Sequence, residues 1–296
     1  MDWPVDVALA QPVPRLPTEP GKWAYEIKVD GHRTVLWRTQ EGVRLQSRTG
    51  RDVTSIWMDL AVAAMRLPPG VILDGEAVVY LSAGEGGARI SFEAAQSRGL
   101  SSPRRARELA ALHPATYVAF DILAHPDVGP DLRSLSYMER RQALLDTLTG
   151  IGPPIEPVWS TTDLSEAQLW YETLEGTGVE GVVAKLRTSP YRPGRASSWK
   201  KVRHAETTDA AVVGYTGPAK RPRSLVVRLP DGRVRLTRAI GTQLAAQVAA
   251  QLTLSEPGRT ARLRTGEVYT AVVVDLMVEV LADTTRHAVV SVTRLR

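Results

Sequence analysis

A lysine and an aspartate stand two positions apart, next to a glycine, in the segment Lys28-Val29-Asp30-Gly31-His32-Arg33. The chain has six lysines against 31 arginines, so it uses arginine where only positive charge is needed. Arginine stays protonated, whereas a lysine can lose its proton and attack phosphorus beside a metal-bound phosphate. Asp30 would share the face of Lys28, because alternate residues of a strand project to one side. A structural hairpin is the alternative interpretation of the Asp-Gly pair.

Three further segments carry side chains that could hold a phosphorylated ligand. In Ser47-Arg48-Thr49-Gly50, Arg48 could lie near a phosphate or ribose, or in a surface turn. In Asp74-Gly75-Glu76, Glu76 could face a ribose or a metal, or the segment could be another hairpin turn. Phe120, one of two phenylalanines, could stack on a purine base, although core packing is the commoner use of such a residue.

Two charged segments follow near residues 180 and 200. Glu180 and Lys185 stand at the ends of an otherwise apolar run, where burial is costly unless each has a partner or a ligand. In Trp199-Lys200-Lys201-Val202-Arg203, Lys201 and Arg203 alternate onto one face. A solvated basic strand is the alternative for this second segment.

The flanking sequence predicts short strands and helices that position these residues. Hairpins are predicted around Asp30-Gly31 in WAYEIKVDGHRTVLW and around Asp74-Gly75 in VILDGEAVVYL. Further strands are predicted for VRLQSRTGRDV, which includes the turn that follows its strand, and for TYVAFDILA, VEGVVAKL and SSWKKVR. Helices are predicted for SIWMDLAVAAMRL, SFEAAQSRGL, SPRRARELAAL, SYMERRQALLDTL and SEAQLWYETLEG, the last with Ser165 as N-cap.

The composition changes near His204, which predicts two domains, residues 1–204 and 205–296. The first carries 24 basic and 24 acidic residues and the second 13 and 8, so the second holds the whole formal charge of +5. Its short strand runs and single helix, TQLAAQVAAQL, predict a small five-stranded barrel, with the OB-fold as the leading candidate. The basic balance favours a polyanionic partner such as nucleic acid.

Several classes of protein are excluded or disfavoured by composition. The absence of cysteine excludes disulfides and thiolate zinc sites. No run of eighteen apolar residues is present, and the N-terminal sequence lacks the pattern of a signal peptide. A cytoplasmic protein is therefore expected.

Taken together in chain order, the six segments resemble the motifs of the covalent nucleotidyltransferases, the family of DNA ligases, RNA ligases and mRNA-capping enzymes. The matching motifs are K-x-D-G-x-R at 28–33, S-R-x-G at 47–50, D-G-E at 74–76, F-D-(I/L)-L at 120–123, E-G-(V/L)-V-x-K at 180–185 and W-x-K-x-(K/R) at 199–203. Each motif is weak by itself, but six in order are specific.

Within this family the chain resembles the bacterial ATP-dependent DNA ligases of the C and D types. The similarity lies in SFEAAQSR, with Phe92, Gln96 and Arg98, in the linker YRPGRASSWKKVR and in the closing segment RHAVVSVTRLR. It departs from the family pattern at Ala288, where a proline is usual, and in a loop one residue short after Gly194. The resemblance implies an α+β fold: an adenylation domain of antiparallel sheets with flanking helices, then an OB-fold barrel. A minimal ligase without a separate N-terminal DNA-binding domain is expected.

The resemblance also implies a cofactor set and a role for each site residue. ATP would transfer AMP to Lys28, with Mg²⁺ or Mn²⁺ held by Glu180 together with Glu76 or Asp30. AMP would then pass to the 5′-phosphate of nicked or broken duplex DNA, and the 3′-hydroxyl would displace it. The implied nucleotide contacts are the Glu26 backbone at the base, Phe120 stacked on adenine, Arg33, Arg48, Glu76, Lys185 and, at the α-phosphate, Lys201. Implied contacts to DNA or to the closing second domain are Arg98, Arg195, Arg203, Arg286 and Arg294.

The resemblance implies a role in DNA repair, beside a primase-polymerase or end-joining proteins, and a monomer associated with the bacterial nucleoid when it acts. Two alternatives stay open. One is an RNA ligase or a GTP-using capping enzyme, which shares the covalent lysine. The other is a non-catalytic nucleic-acid-binding protein with a ligase fold, against which the complete set of motif residues argues.

Overall fold

The computed structural model describes residues 1–82, 84, 87–204, 207–252, 258–263, 265–274, 276–281 and 290–295. The chain divides into two compact units, Met1–His204 and Ala205–Arg296, each with its own sheet system. No helix within these described ranges is long and apolar enough to cross a membrane.

The first unit contains two mainly antiparallel sheets. One has the order β1-β11-β10-β2-β9, with β1 parallel to β11. The other has the order β4-β3-β5-β7-β8, with β6 beside β5 and β8 parallel to β7. The strands are β1 (Ala8–Pro12), β2 (Trp23–Val29), β3 (His32–Arg38), β4 (Val43–Ser47), β5 (Ile72–Ser82), β6 (Ala88–Ile90), β7 (Ala115–Ala124), β8 (Ile155–Pro157), β9 (Ser160–Thr161), β10 (Val179–Leu186) and β11 (Gly194–Arg203).

Five helices flank these sheets, at the places where the sequence predicts them. They are α1 (Met58–Ala63), α2 (Phe92–Gly99), α3 (Pro103–Leu112), α4 (Tyr137–Leu148) and α5 (Leu164–Thr173). Serines cap three of them; Ser136 forms a capping box with Glu139 at the start of α4. The predicted cap Ser165 is wrong: Asp163 caps α5, because its carboxylate accepts the Ser165 backbone N–H at 2.8 Å.

The predicted hairpin around Asp30-Gly31 is wrong. Strands β2 and β3 lie in different sheets: β2 pairs with β10 and β9, whereas β3 pairs with β4 and β5. Asp30 and Gly31 therefore carry the chain from one sheet to the other. Gly31 is required there by close approach, since a Cβ at this position would lie 2.4 Å from the Ala77 carbonyl oxygen of β5.

We expect Gly31→Ala to destabilise the first unit by about 2 kcal/mol or more, because the added methyl group overlaps backbone that cannot move aside easily. Gly42→Ala is the matched control, since nothing lies within 4 Å of a Cβ built there. All seven tryptophans lie in residues 1–204, so tryptophan fluorescence during thermal unfolding reports this unit alone. Equal midpoints for the two variants would contradict the close approach.

The hairpin predicted around Asp74-Gly75 is also wrong. Ile72–Ser82 form one continuous strand, β5, which runs between β3 and β7. The pairing of β5 with β7 shifts register between Asp74 and Gly75, so the Asp-Gly pair marks an irregularity of the strand instead of a reversal of the chain. This placement keeps Asp74 and Glu76 in the middle of the sheet.

The second unit has seven strands and one helix within the described residues. Its order is β14-β13-β12-β16-β15, and β17 pairs with both β12 and β18. No closed barrel is formed by this part of the chain, so the OB-fold stays a prediction. The elements are β12 (Thr207–Thr216), β13 (Ser224–Arg228), β14 (Val234–Leu236), α6 (Thr242–Leu252), β15 (Thr260–Arg262), β16 (Val268–Ala271), β17 (Met277–Leu281) and β18 (Ser291–Leu295).

Candidate functional site

A cavity of about 460 Å³ in the first unit is lined by strands of both sheets. Strands β2, β10 and β11 contribute side chains from one sheet, and β3, β5, β7 and the turn after β4 contribute from the other. All six motif segments reach this cavity. The predicted residues that border it are Glu26, Lys28, Asp30, Arg33, Arg48, Glu76, Phe120, Lys185, Arg195, Lys201 and Arg203.

Glu180 connects the candidate nucleophile to the end of β11. One of its carboxylate oxygens accepts a hydrogen bond from the Lys28 ammonium, and the other forms an ion pair with Arg203 Nε at 2.7 Å. The next residue, Gly181, has φ of 149°, and a Cβ there would lie 2.1 Å from the Val202 carbonyl oxygen. Only glycine allows this approach of β10 and β11, which sets Glu180 beside Lys28.

Lys201 and Glu76 are two groups of the cavity whose pKa values are shifted toward neutral pH. Burial, followed by the positive charges of Arg203 and Lys28, lowers the pKa of Lys201 to about 8. Burial raises the pKa of Glu76 to about 7, against the opposing effect of Lys28 and Arg33. The Glu76 side chain makes no hydrogen bond or ion pair within the described residues, so its carboxylate can accept a ligand. Shifts of this kind are typical of functional sites.

Lys185 is nearly enclosed, with 1 % of the residue exposed. Its ammonium forms an ion pair with Glu26 at 2.8 Å and donates to the Phe120 carbonyl oxygen at 2.7 Å. Its Nζ lies 4.0 Å from the centroid of the Trp199 ring. The sequence predicts that Lys185 needs a partner for burial, and Glu26 is that partner. The positive charge of Lys185 and the negative charge of Glu26 neutralise each other.

Arg33 is held by a buried carboxylate of the neighbouring strand. Its Nε and Nη2 donate to the two oxygens of Asp74 at 2.7 and 2.6 Å, and Tyr191 donates its hydroxyl to the same carboxylate at 2.7 Å. The guanidinium lies 4.6 Å from the centroid of the Phe120 ring. Arg33 therefore presents a fixed positive group beside the aromatic ring predicted to stack on a base.

The remaining predicted cavity residues have more open positions. Phe120 is partly exposed and packs edge-on against Trp199, with 6.2 Å between ring centroids. Arg48 lies in the turn after β4 and is exposed, as the sequence indicates for a surface turn, yet it borders the cavity. Arg195 is exposed on β11 at the same cavity.

Arg98 departs from its predicted contact with DNA. It is 1 % exposed, its guanidinium forms an ion pair with Asp59, and it donates from Nε to the Ile56 carbonyl oxygen at 3.0 Å. The guanidinium also packs over the Trp57 ring, 4.5 Å from its centroid. Arg98 thus joins α2 to α1 inside the unit. Arg286 lies outside the described residues, as does the side chain of Arg294.

Sequence reasoning missed the residues that hold the site cations in place. Asp74 belongs to a recognised motif, but the hairpin interpretation hid its pairing with Arg33. Tyr137 lies outside the motifs, and Asp121 and Tyr191 have no predicted role although they stand in segments that carry the resemblance. Only the fold brings these three residues to Glu26, Arg140 and Asp74. Buried tyrosines next to buried carboxylates cannot be identified from the sequence alone, since the partners are far apart in the chain.

Comparisons with known proteins agree with the motifs. Residues 8–203 match the family described as ATP dependent DNA ligase domain. The chain is 37 % identical over 218 residues to DNA ligase C of Mycobacterium tuberculosis, an alignment that covers 72 % of this chain and 58 % of that protein. It is 34 % identical over 238 residues to the multifunctional non-homologous end joining DNA repair protein LigD of the same species, covering 78 % and 29 %. The chain thus spans less than two thirds of these relatives.

Solved structures show the same similarity at the level of the fold. The ligase domain of Mycobacterium tuberculosis LigD is 28 % identical, with a TM-score of 0.56 over 98 % of this chain and 94 % of that chain. The mycobacterial DNA ligase D complexed with ATP and MES is also 28 % identical, with a TM-score of 0.55 over the same shares. A Lig E DNA ligase shares the fold alone, at 18 % identity and a TM-score of 0.59 over 99 % of each chain.

Proposed function

The chain belongs to the family of ATP-dependent DNA ligase domains, and on that premise we propose that it seals nicks or breaks in duplex DNA through a lysyl-AMP intermediate. The observation that carries the proposal is the position of Lys28. This lysine borders a cavity of nucleotide size, touches the carboxylate of Glu180 and shares the cavity with Lys201. One lysine beside a carboxylate and a second cation is what transfer of a nucleotidyl group requires.

In the proposed first step, Lys28 loses a proton to solvent and its neutral Nζ forms a bond to the α-phosphorus of ATP. The bond to the pyrophosphate leaving group breaks, and the nitrogen releases a second proton as the phosphoramidate forms. Glu180 and Arg203 orient Lys28, and Lys201 offsets charge on the α-phosphate. Arg48 and Glu76 contact phosphate or ribose, and Phe120 stacks on adenine beside Arg33. Catalysis of this kind depends mostly on positioning and on neutralised charge.

The carboxylates of the cavity fit a hard divalent cation held partly by substrate. No group of three His, Asp or Glu side chains within the described residues forms a complete protein site. Mg²⁺, however, is commonly held by one or two carboxylates plus substrate phosphates. Glu76 and Glu180 would hold it, with Asp30 nearby, and the cation would neutralise charge on the α-phosphate.

The acceptor in this proposal is the 5′-phosphate of a nick or break in duplex DNA. The relatives named DNA ligase and the basic balance of residues 205–296 support it. Residues 205–296 would fold as an OB domain that closes on the nucleotide site and then on DNA through Arg286 and Arg294. Arg195 and Arg203 of the first unit would contact DNA or the closing domain. Similarity to LigD supports a role in DNA repair beside end-joining proteins.

The acceptor is tested with matched nicked duplexes. The protein and Mg²⁺ are incubated with either ATP or GTP and with a nick in DNA, a nick in RNA or an uncapped RNA end, and the joined or capped product is measured. Sealing of the DNA nick at the highest rate supports the proposal. A preference for RNA, or a covalent GMP in place of AMP, would redirect it to an RNA ligase or a capping enzyme.

We expect the affinity for ATP to fall as the pH rises through about 8. The pKa of Lys201 is lowered to about 8, so the free protein loses this positive charge above that pH. A bound phosphate favours the charged form, so binding is tightest below pH 8, where the proton is already present. Lys201→Arg should remove the dependence, because arginine keeps its charge. A Kd for ATP that is flat from pH 7 to 9.5 in the wild type would contradict this assignment.

A further inference from the structure

Tyr137, the first residue of α4, lies outside all six motif segments and is 1 % exposed. Its hydroxyl donates to Glu26 Oε1 at 2.6 Å. Burial, together with the charge of Glu26, raises the pKa of the phenol well above its usual value, so the hydroxyl stays a donor. Glu26 is itself buried and therefore depends on this bond and on its pairing with Lys185 to be satisfied.

The chain of contacts continues from Glu26 to the aromatic wall of the cavity. Glu26 Oε2 pairs with Lys185 Nζ at 2.8 Å, and Lys185 donates to the Phe120 carbonyl oxygen at 2.7 Å. The Lys185 ammonium lies 4.9 Å from the Phe120 ring centroid and 5.0 Å from that of Tyr137. Tyr137 therefore holds Glu26, and Glu26 holds Lys185. Lys185 in turn contacts the backbone and the ring of Phe120.

Lys185 lies further along the paired strands than the nucleophile. In the pairing of β10 with β2, Gly181 lies opposite Lys28, and Lys185 lies opposite Ala24. Four residues of a strand extend about 13 Å. A nucleotide whose α-phosphate meets Lys28 therefore directs its base toward Phe120 and Lys185.

We propose that Tyr137 is a positioning residue that holds the Glu26–Lys185 ion pair beside Phe120 and so sets the affinity for the nucleotide base. This inference rests on the proposed function, since it assumes that the cavity takes ATP with its phosphates at Lys28. It assigns Lys185 to the base end of the site instead of to a phosphate. Tyr137 contacts neither substrate nor reacting atoms in this arrangement and acts through Glu26.

Tyr137→Phe removes one hydroxyl and leaves the ring. Glu26 Oε1 then lacks its donor in a buried position, the carboxylate reorients, and the Lys185 ammonium moves with it. We expect the KM for ATP in lysyl-AMP formation to rise about tenfold, the loss typical of one hydrogen bond to a charged group. The kcat should stay within about twofold, because the groups around Lys28 are untouched.

Tyr117→Phe is the matched control. Tyr117 is as buried as Tyr137, but its hydroxyl lies within hydrogen-bonding distance of the backbone carbonyls of Thr34 and Leu73, at 2.8 and 3.0 Å, and of no charged side chain that borders the cavity. The KM for ATP of the Tyr117→Phe variant should match that of the wild type. An equal rise in both variants would show a general effect of a lost buried hydroxyl and would overturn the inference.

A second variant keeps the test decisive if Tyr137→Phe is unstable. Glu26→Gln keeps the shape of the side chain and removes its charge, and it should raise the KM for ATP in the same way. The double variant should lose less than the product of the single losses, because both act through one chain of contacts. Independent effects, or an unchanged KM in Tyr137→Phe, would overturn the inference.

The proposed function can fail separately from this inference. A wild type that forms no lysyl-AMP refutes the proposed activity, and the Kd for ATP, followed by quenching of tryptophan fluorescence, then replaces the KM. A wild type that forms lysyl-AMP, with Tyr137→Phe indistinguishable from it in both KM and Kd, refutes the positioning role alone.

Discussion

Lys28→Arg is expected to lower the rate of AMP transfer to the protein by at least roughly a thousandfold, the scale of loss seen when a nucleophile is removed. Arginine can keep an ion pair with Glu180, so the cavity retains its charge, but the guanidinium stays protonated and cannot attack phosphorus. The measurement is the label that denatured protein retains after incubation with Mg²⁺ and ATP labelled at the α-phosphate.

Two controls separate a lost nucleophile from a damaged protein. Lys22→Arg makes the same substitution at an exposed lysine and should retain the label of the wild type. Lys28→Arg should still seal a nick that already carries AMP far better than it forms lysyl-AMP, because the last step needs no lysine nucleophile. Labelling of Lys28→Arg at the wild-type rate would place the covalent bond elsewhere.

Asp74→Ala is expected to lower the free energy of unfolding of the first unit by about 3–5 kcal/mol, the usual effect of removing one partner of a buried ion pair. Asp74 is fully buried and accepts two hydrogen bonds from Arg33 and one from Tyr191. Without the carboxylate, the guanidinium stays largely buried and without its counter-charge. The loss would be a large fraction of the free energy of unfolding of an ordinary domain, about 5–15 kcal/mol.

The measurement is denaturant unfolding followed by tryptophan fluorescence, which reports residues 1–204 alone. Asp131→Ala is the matched control: Asp131 also pairs with an arginine, Arg133, at 2.7 Å, but both side chains are substantially exposed. That pair should contribute less than about 1 kcal/mol. Similar midpoints for Asp74→Ala and Asp131→Ala would mean that the Arg33–Asp74 pair is not enclosed as described.

The local sequence predicts most elements of the first unit. Each strand and helix has its own hydrophobic periodicity, and capping or turn residues mark its ends. The pairing of the strands is harder to predict from the local sequence. An Asp-Gly pair predicts a two-residue turn, but at Gly31 the glycine is needed for contact with the Ala77 carbonyl oxygen, and at Gly75 it lies inside a strand. In both cases glycine is required by contact with a neighbouring strand, and the local sequence pattern does not reveal that contact.

The candidate site is likewise predictable from the sequence only in part. Lys28, Glu180 and Lys201 are identified by motif spacing. The fold brings Lys28 and Lys201 to one cavity and sets Glu180 against Lys28. Motif spacing does not tell whether a residue is exposed. The resemblance therefore implies a DNA contact for Arg98, although this residue is buried between α1 and α2. Second partners such as Tyr137 and Asp74 depend on sheet pairing and helix packing, and only the structure identifies them.

The central claim is a covalent bond between Lys28 and AMP derived from ATP. The most direct test is to strip any bound AMP with pyrophosphate, incubate the wild type with Mg²⁺ and either ATP or GTP labelled at the α-phosphate, and locate the modified residue by peptide mass spectrometry. We expect one AMP per chain, on Lys28, from ATP and not from GTP. A label from GTP, a label on another residue, or no label from either nucleotide would contradict it.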